Sequence, residues 1–173
     1  MSEAMKKMEG TVTFSVFDNF AVGKNKTMAW DRFAASAVKS VGYDTKGQSI
    51  RRKAVIGGPL LRDGKSREDN VRERTMLTID YDSVPDGVDI DDIELALPTG
   101  WAFAAYTTFS HTEDAPRVRV IVPLSRAVSD DEHVAIVAHV TSGVFDPGVF
   151  GQPDGCSTVL NQIMFLASHT NGV

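Results

Sequence analysis

The segment Leu77-Thr78-Ile79-Asp80-Tyr81-Asp82 alternates apolar and polar residues, as a strand does when one of its faces packs against a core. Its three apolar residues share one face, and Asp80 and Asp82 share the other. Two carboxylates about 6 to 7 Å apart on one face repel each other unless a cation lies between them, and such oxygen ligands suit Mg²⁺ or Mn²⁺. The pattern therefore predicts half of a metal site, and removal of both carboxylates should leave the fold intact. Alternatively, Asp82 only ends the strand and Asp80 is a lone polar residue.

The length and composition are those of one globular domain. The 173 residues are 42% hydrophobic and 24% charged, and a chain of this length can bury about two-thirds of its unfolded surface. The single Cys156 cannot form an internal disulfide, and one cysteine with four scattered histidines does not make a zinc finger. The longest fully apolar run covers only Trp101 to Tyr106, and the N-terminus lacks the apolar region of a signal peptide. These features predict a cytoplasmic protein with no membrane partner.

The net charge of −5 is distributed unevenly along the chain. Residues 1–75 contain 15 Lys and Arg against 9 Asp and Glu, whereas residues 76–173 contain 3 against 14. A basic region beside an acidic one is typical of an enzyme that attracts phosphates and binds metal, although a basic loop can also be solvated and without a partner. We expect the basic region to contact nucleic acid through Arg51, Arg52, Lys53, Arg62 and Lys65.

The order of predicted elements favours an α+β fold. From Met76 on, the order is strand, helix, strand, strand, helix and strand, the split βαβ pattern of an RRM-like or ferredoxin-like sheet. The predicted strands cover 77–82, 101–109, 117–124 and 161–166, and the helices cover 88–97 and 129–142. An N-terminal α/β extension precedes them, with strands over 11–17 and 54–56, a loop over 19–25, a helix from Thr27 to Gly42 and a bend at Gly57-Gly58.

Three motifs in this order resemble those of the archaeo-eukaryotic primase superfamily, in particular the primase-polymerases of phages and plasmids. Residues 77–82 look like the hydrophobic-Asp-hydrophobic-Asp motif, Ser110-His111 looks like the Ser-His motif, and Asp154 before the last strand looks like the third, acidic motif. The segment Pro116-Arg117-Val118-Arg119 is similar to the one that follows the histidine in the phage proteins. The resemblance covers roughly residues 76–168. At Ala167 this chain departs from many relatives, which have a proline there.

The resemblance implies a nucleotidyltransferase that joins nucleoside triphosphates on single-stranded or primed DNA. It implies a basic α/β subregion over residues 1–75 and an RRM-like catalytic subregion over 76–173, which together form one domain at the N-terminal end of a longer replication protein. A helicase would act in cis or in trans, because no Gly-x-x-x-x-Gly-Lys-Ser/Thr motif is present. The implied residues are Asp80, Asp82 and Asp154 for two Mg²⁺ or Mn²⁺ ions, with catalytic His111, and Ser110, His111, Arg117 and Arg119 for the nucleotide.

Each of these assignments has an alternative that involves no catalysis. His111 could cap a hairpin, Arg117 and Arg119 could form a solvated strand face, and Asp154 could form only a turn, with Asp146 as the rival third acid. At the level of function, the alternatives are a non-catalytic RRM-like nucleic-acid-binding domain and another Asp-x-Asp metal enzyme, such as a nuclease or a glycosyltransferase. RNA-recognition sheets expose aromatic residues, whereas the predicted face here carries Asp, His and Arg.

Overall fold

Two antiparallel four-stranded sheets and a short parallel strand pair form the framework of the protein. The structure, a computed structural model, describes residues 3–6, 9–18, 22–43 and 53–170. The strands are β1 (Glu3–Lys6), β2 (Thr11–Asp18), β3 (Val22–Ala29), β4 (Val41–Tyr43), β5 (Ala54–Ile56), β6 (Arg74–Tyr81), β7 (Phe103–Thr107), β8 (Val118–Val128), β9 (Met164–Phe165) and β10 (Ser168–Thr170). The helices are α1 (Trp30–Val38), α2 (Ile90–Ala96), α3 (Asp130–Gly143) and α4 (Pro147–Phe150), and a 3₁₀ turn covers Gly155–Thr158.

The first sheet has the strand order β1-β7-β8-β6 and contains the three leading strands of the predicted split βαβ unit. Helices α2 and α3 cover one of its faces. Each begins with a capping box, formed by Asp89 with Asp92 and by Ser129 with Glu132, in which the two residues satisfy each other's backbone N–H groups. The prediction of an α+β fold is confirmed.

The fourth strand of the predicted unit does not join the first sheet. Strand β9 pairs with β5 and belongs to the second sheet, whose order is β3-β2-β5-β9. The edge of β6 is bound instead by the turn before β9, where the Asp154 N–H donates to the Asp80 carbonyl (2.7 Å) and the Asp80 N–H donates to Ser157 Oγ (3.0 Å). The turn therefore takes the hydrogen-bonding positions that a fourth strand would have occupied.

The sequence pattern does not predict strand β3, since it favours a loop over 19–25 and a helix that begins near Thr27. It forms a hairpin with β2 at the edge of the second sheet, where Lys24 and Lys26 are exposed. An edge strand is held by its backbone ladder and needs few apolar side chains, so the pattern of hydrophobic residues gives little sign of it. Helix α1 consequently begins at Trp30 and not near Thr27, and it ends at Val38, before β4.

In the described residues, three apolar clusters lie between the sheets and the helices or loops that pack on them. The first lies between the first sheet and α2 and α3, and includes Leu77, Ile79 and Tyr81. The second lies between the two sheets and α1, and contains Met76 and Trp30. The third lies between the second sheet and the loop that follows β5. In the described ranges, no helix has the length and apolar character that crossing a lipid bilayer requires.

Candidate functional site

A small polar cleft opens at the end of the first sheet, where β7 leads into the turn before β8. Its volume is about 160 Å³. Four residues predicted from the motifs line it, namely Asp82, Ser110, Arg117 and Arg119, together with Tyr106, Thr108, Phe109, Phe165 and Leu166. The tertiary structure thus brings together side chains that are distant in the sequence, such as Asp82 and Leu166, which are 84 positions apart.

Asp80 and Arg119 form a buried ion pair at the base of this cleft. The two residues face each other in the register of β6 and β8. Arg119 Nε lies 2.5 Å from Asp80 Oδ1, and Arg119 Nη2 lies 2.8 Å from Asp80 Oδ2. Only 12% of the Arg119 side chain and 10% of the Asp80 side chain are exposed. Both carboxylate oxygens of Asp80 are therefore engaged by one guanidinium group, in the bidentate geometry that Arg favours.

The same guanidinium group links the two sheets. Arg119 Nη1 donates to the carbonyl oxygen of Phe165 (2.7 Å), and the Tyr106 hydroxyl donates to that same oxygen (2.7 Å). Burial alone would lower the pKa of Arg119, but its interactions with Tyr106 and Asp80 outweigh this and leave the pKa above its ordinary value. Arg119 is therefore a permanently charged residue that joins β6, β8 and β9.

The second pair, Arg117 and Asp82, is partly solvated. Arg117 Nη1 lies 3.2 Å from Asp82 Oδ1, and the side chains are 35% and 51% exposed. Ion pairs of this exposure contribute only about 0 to 1 kcal/mol, since water competes for both partners. Arg117 can therefore exchange Asp82 for another anion at small cost.

His111 lies at the turn between β7 and β8. Its Nδ1 accepts a hydrogen bond from the backbone N–H of Arg117 (3.1 Å), so in the neutral ring Nε2 carries the proton. Burial lowers the pKa of His111, and only the nearby Glu113 opposes this, which favours the neutral form. The histidine thus fixes the backbone at Arg117, and the described lining of the cleft does not include it.

Asp154 lies beside Asp80 but points to its own turn. Its Oδ1 accepts from the Cys156 N–H (2.7 Å) and begins the 3₁₀ turn. This bond and a contact with the Cys156 side chain lower the pKa of Asp154, and the charge of Arg117 acts in the same direction. Asp146, the rival third acid, begins α4 by accepting from the Gly148 N–H (2.8 Å).

A family model described as the VapE N-terminal domain matches residues 7–169. The chain belongs to this family. VapE-like proteins are associated with the replication of phages and plasmids, so the replication context predicted from the motifs is confirmed at that level. No curated protein and no solved structure matches the chain.

The acidic residues of this VapE N-terminal domain do not fit a shared metal ion in the observed arrangement. Asp82 and Asp154 are oxygen donors of the kind that Mg²⁺ and Mn²⁺ prefer. Both oxygens of Asp80, however, already accept hydrogen bonds from Arg119, and the Cys156 thiol lies 3.6 Å from Oδ2. Across the ranges that the structure describes, no three His, Cys, Asp or Glu side chains are grouped so that they could hold a metal.

The predicted nucleic-acid-binding residues are spread over several places. Lys53 is exposed just before β5, and Arg62 and Lys65 are exposed on the loop between Leu60 and Val71. Arg51 and Arg52 lie outside the described residues. The Asn70 side chain holds the loop through the Arg62 N–H, the Arg62 carbonyl and the Ser66 carbonyl (2.9, 2.9 and 3.0 Å). Internal hydrogen bonds therefore shape this basic loop.

Sequence reasoning missed Tyr106 and Cys156. Tyr106 lies directly opposite Arg119 in the register of β7 and β8. If this strand pairing is assumed, the sequence indicates that the Tyr106 and Arg119 side chains share one face of the sheet. Burial, followed by the neighbouring Asp154 and Asp80, raises the pKa of Cys156 to about 12. The thiol is thus a neutral group beside the Asp80 carboxylate and a poor nucleophile. No pattern in the sequence indicates that contact.

Proposed function

We propose that this VapE N-terminal domain is the nucleotide-binding and nucleotidyl-transferring part of a phage or plasmid replication protein, a primase-polymerase that acts in the host cytoplasm. The proposal is supported by the three motifs in order, by the family membership, and by the collection of four motif residues in one cleft. The observation that carries it is the partly solvated Arg117–Asp82 pair beside the permanently charged Arg119.

The cleft is suited to phosphate groups. Its volume of about 160 Å³ is below the range of about 300 to 1,000 Å³ that holds whole drug-sized ligands. A triphosphate could enter it and replace Asp82 as the partner of Arg117, because planar guanidinium groups bind phosphate oxygens in pairs. The Ser110 hydroxyl lines the same space and can donate a further hydrogen bond. The sugar and base would then lie outside the cleft.

Divalent metal enters the proposal through the resemblance only. When bound, Mg²⁺ or Mn²⁺ would neutralise developing charge on the phosphates and activate the attacking hydroxyl group. Because the carboxylate of Asp80 is fully engaged by Arg119, we assign no step of the reaction to a metal on that residue. What the chain itself provides is the positioning of phosphates by Arg117 beside the permanent charge of Arg119.

The test has two measurements. Incorporation of labelled nucleotide onto a primed DNA template is measured with Mg²⁺, with Mn²⁺ and with a chelator, beside a nuclease assay. Binding of a fluorescent nucleoside triphosphate is measured for the wild type and for Arg117→Ala. Loss of a charge-assisted phosphate contact is expected to weaken binding by roughly 10- to 150-fold.

Arg126→Ala is the matched control, because Arg126 is likewise an arginine that water reaches and that pairs with a carboxylate, Glu132, and it lies away from the cleft. If Arg117→Ala binds nucleotide no more weakly than Arg126→Ala, the cleft is not the phosphate site. If the wild type incorporates nothing with either metal, it is not a polymerase.

A second function is favoured by the Asp80–Arg119 pair itself. Because both oxygens of Asp80 accept hydrogen bonds from Arg119, the arrangement favours a domain that binds nucleic acid without metal-dependent catalysis. The same measurements separate the two functions. A non-catalytic domain binds DNA but shows no metal-dependent incorporation and no cleavage.

A further inference from the structure

A second groove, larger than the polar cleft, borders it at Leu166, which lines both. Its volume is about 370 Å³. It is formed by the end of α1, by β4, by Lys53 and by the segment Leu166–Ser168, and we call it the lysine groove after Lys39 and Lys53. Its volume lies near the lower end of the range for ligand sites, which corresponds to a small part of a polymer and not to a whole folded partner.

Backbone hydrogen bonds hold the walls of the lysine groove in place. The Leu166 N–H donates to the Lys53 carbonyl (3.2 Å), and the Ala167 N–H donates to the Ala37 carbonyl (3.0 Å). The Val41 N–H donates to the Ala167 carbonyl (3.3 Å), which continues the parallel pairing of β4 with β10. The groove is thus built on paired backbone, and ligand binding there would require little ordering of the chain.

The chemistry of the groove is that of a site for a polyanion with aromatic bases. Lys39 and Lys53 are exposed and can contact phosphates, and none of the described residues that line the groove is acidic, although the chain as a whole carries a charge of −5. Tyr43 lines it as well and is only half-buried. Cationic groups beside an aromatic ring are the combination with which proteins hold single-stranded nucleic acid, since phosphates contact the cations and bases stack on the ring.

We propose that the lysine groove binds single-stranded nucleic acid, with its phosphates on Lys39 and Lys53 and a base stacked on Tyr43. A strand in this groove runs toward Leu166 and so toward the polar cleft with Arg117 and Arg119. This direction of the nucleic-acid strand rests on the proposed function, because in a polymerase one end of the bound strand must reach the site where the nucleotide binds. The binding itself does not depend on catalysis.

The experiment measures the anisotropy of a labelled single-stranded oligothymidylate of about ten nucleotides, with chelator and without nucleoside triphosphate. Each variant is titrated at several salt concentrations. The double variant Lys39→Ala with Lys53→Ala should reduce the slope of log affinity against log salt by about 1.4, since each phosphate contact on a single strand contributes roughly 0.7. The matched control is Lys24→Ala with Lys26→Ala, which removes the same charge from exposed positions on β3.

Substitution of Tyr43 tests the groove independently of the two lysines. Tyr43→Leu should weaken binding by roughly 5- to 150-fold through loss of stacking, and Tyr43→Phe should retain the wild-type affinity because the ring remains. An effect of Tyr43→Phe as large as that of Tyr43→Leu would overturn the stacking role. An equal change of slope in the groove and control variants would show that only overall charge matters, and would overturn the site.

The design separates this inference from the proposed function. Oligonucleotide binding that depends on Lys39, Lys53 and Tyr43, in a protein that incorporates no nucleotide, supports the groove and refutes the polymerase. Incorporation by a protein whose binding is unchanged in all groove variants supports the polymerase and overturns the groove.

Discussion

The Asp80–Arg119 pair predicts that Asp80→Ala destabilises the protein strongly. The substitution removes the Asp80 acceptors of Arg119 Nε and Nη2 in a site where only 12% of the Arg119 side chain is exposed, and it leaves Arg119 with its contacts to the Phe165 carbonyl and Tyr106. Removing one partner of a buried ion pair typically costs about 3 to 5 kcal/mol, because the remaining charge is buried and uncompensated. This is a large part of the roughly 5 to 15 kcal/mol by which a domain is stable.

The sequence alone suggested the opposite result. Two like charges on one face should repel, and their removal should leave the fold intact. In the structure each carboxylate faces an arginine, Asp80 with Arg119 and Asp82 with Arg117, so removal breaks an attraction. For Asp80 the structure therefore predicts the opposite outcome, and the denaturation experiment decides between the two expectations.

Urea denaturation followed by fluorescence or circular dichroism tests this prediction. With a slope of about 2 kcal/mol per molar urea, a loss of 3 to 5 kcal/mol lowers the midpoint by roughly 1.5 to 2.5 M. Asp82→Ala is the control, since its pair is exposed and its loss should cost at most about 1 kcal/mol. The double variant Asp80→Leu with Arg119→Met should recover most of the stability, as apolar replacements of buried pairs often do.

If Asp80→Ala and Asp82→Ala lower the midpoint equally, the reasoning from burial is wrong. The prediction also affects any activity assay. An inactive Asp80→Ala protein has to be shown to be folded before its inactivity is assigned to lost chemistry.

Two further predictions concern stability. Gly58→Ala should destabilise the protein by about 1 to 3 kcal/mol or more, because the added Cβ would lie 2.0 Å from the Glu73 carbonyl oxygen. Gly155→Ala is the control, since no heavy atom lies within 4 Å of its added Cβ, and it should melt at nearly the same temperature as the wild type. Burial lowers the pKa of His133 to about 4, and the charge of Arg74 acts in the same direction, so the unfolded state with its pKa near 6.5 binds the proton more tightly. The contribution of His133 to stability should therefore be constant above about pH 7 and decrease as the pH falls from about 6.5 to about 4. Urea midpoints of His133→Gln over this range should show a weaker decrease, and a pH profile identical to that of the wild type would contradict the role of His133.

The sequence by itself determined those features that depend on a few neighbouring residues, such as the faces of a strand and the start of a helix. The alternation of residues 77–82 placed Asp80 on the face opposite to Leu77 and Ile79, and these two do pack in the first core cluster. The Ser129 capping box placed the start of α3 at the observed residue. Such signals are reliable because side-chain direction and helix caps depend on neighbours along the chain.

Only the tertiary structure decided which strands pair and what each charged residue contacts. The register of β6 against β8 places Arg119 on Asp80, and a shift of one residue would have turned Arg119 to the other face. The pairing of β9 with β5 leaves the edge of β6 to the turn at Asp154, and places the Phe165 carbonyl where Arg119 and Tyr106 can reach it. These contacts depend on long-range packing of two sheets, for which no single segment carries a signal. The sequence therefore indicated four of the residues that line the cleft but neither their partners nor Tyr106.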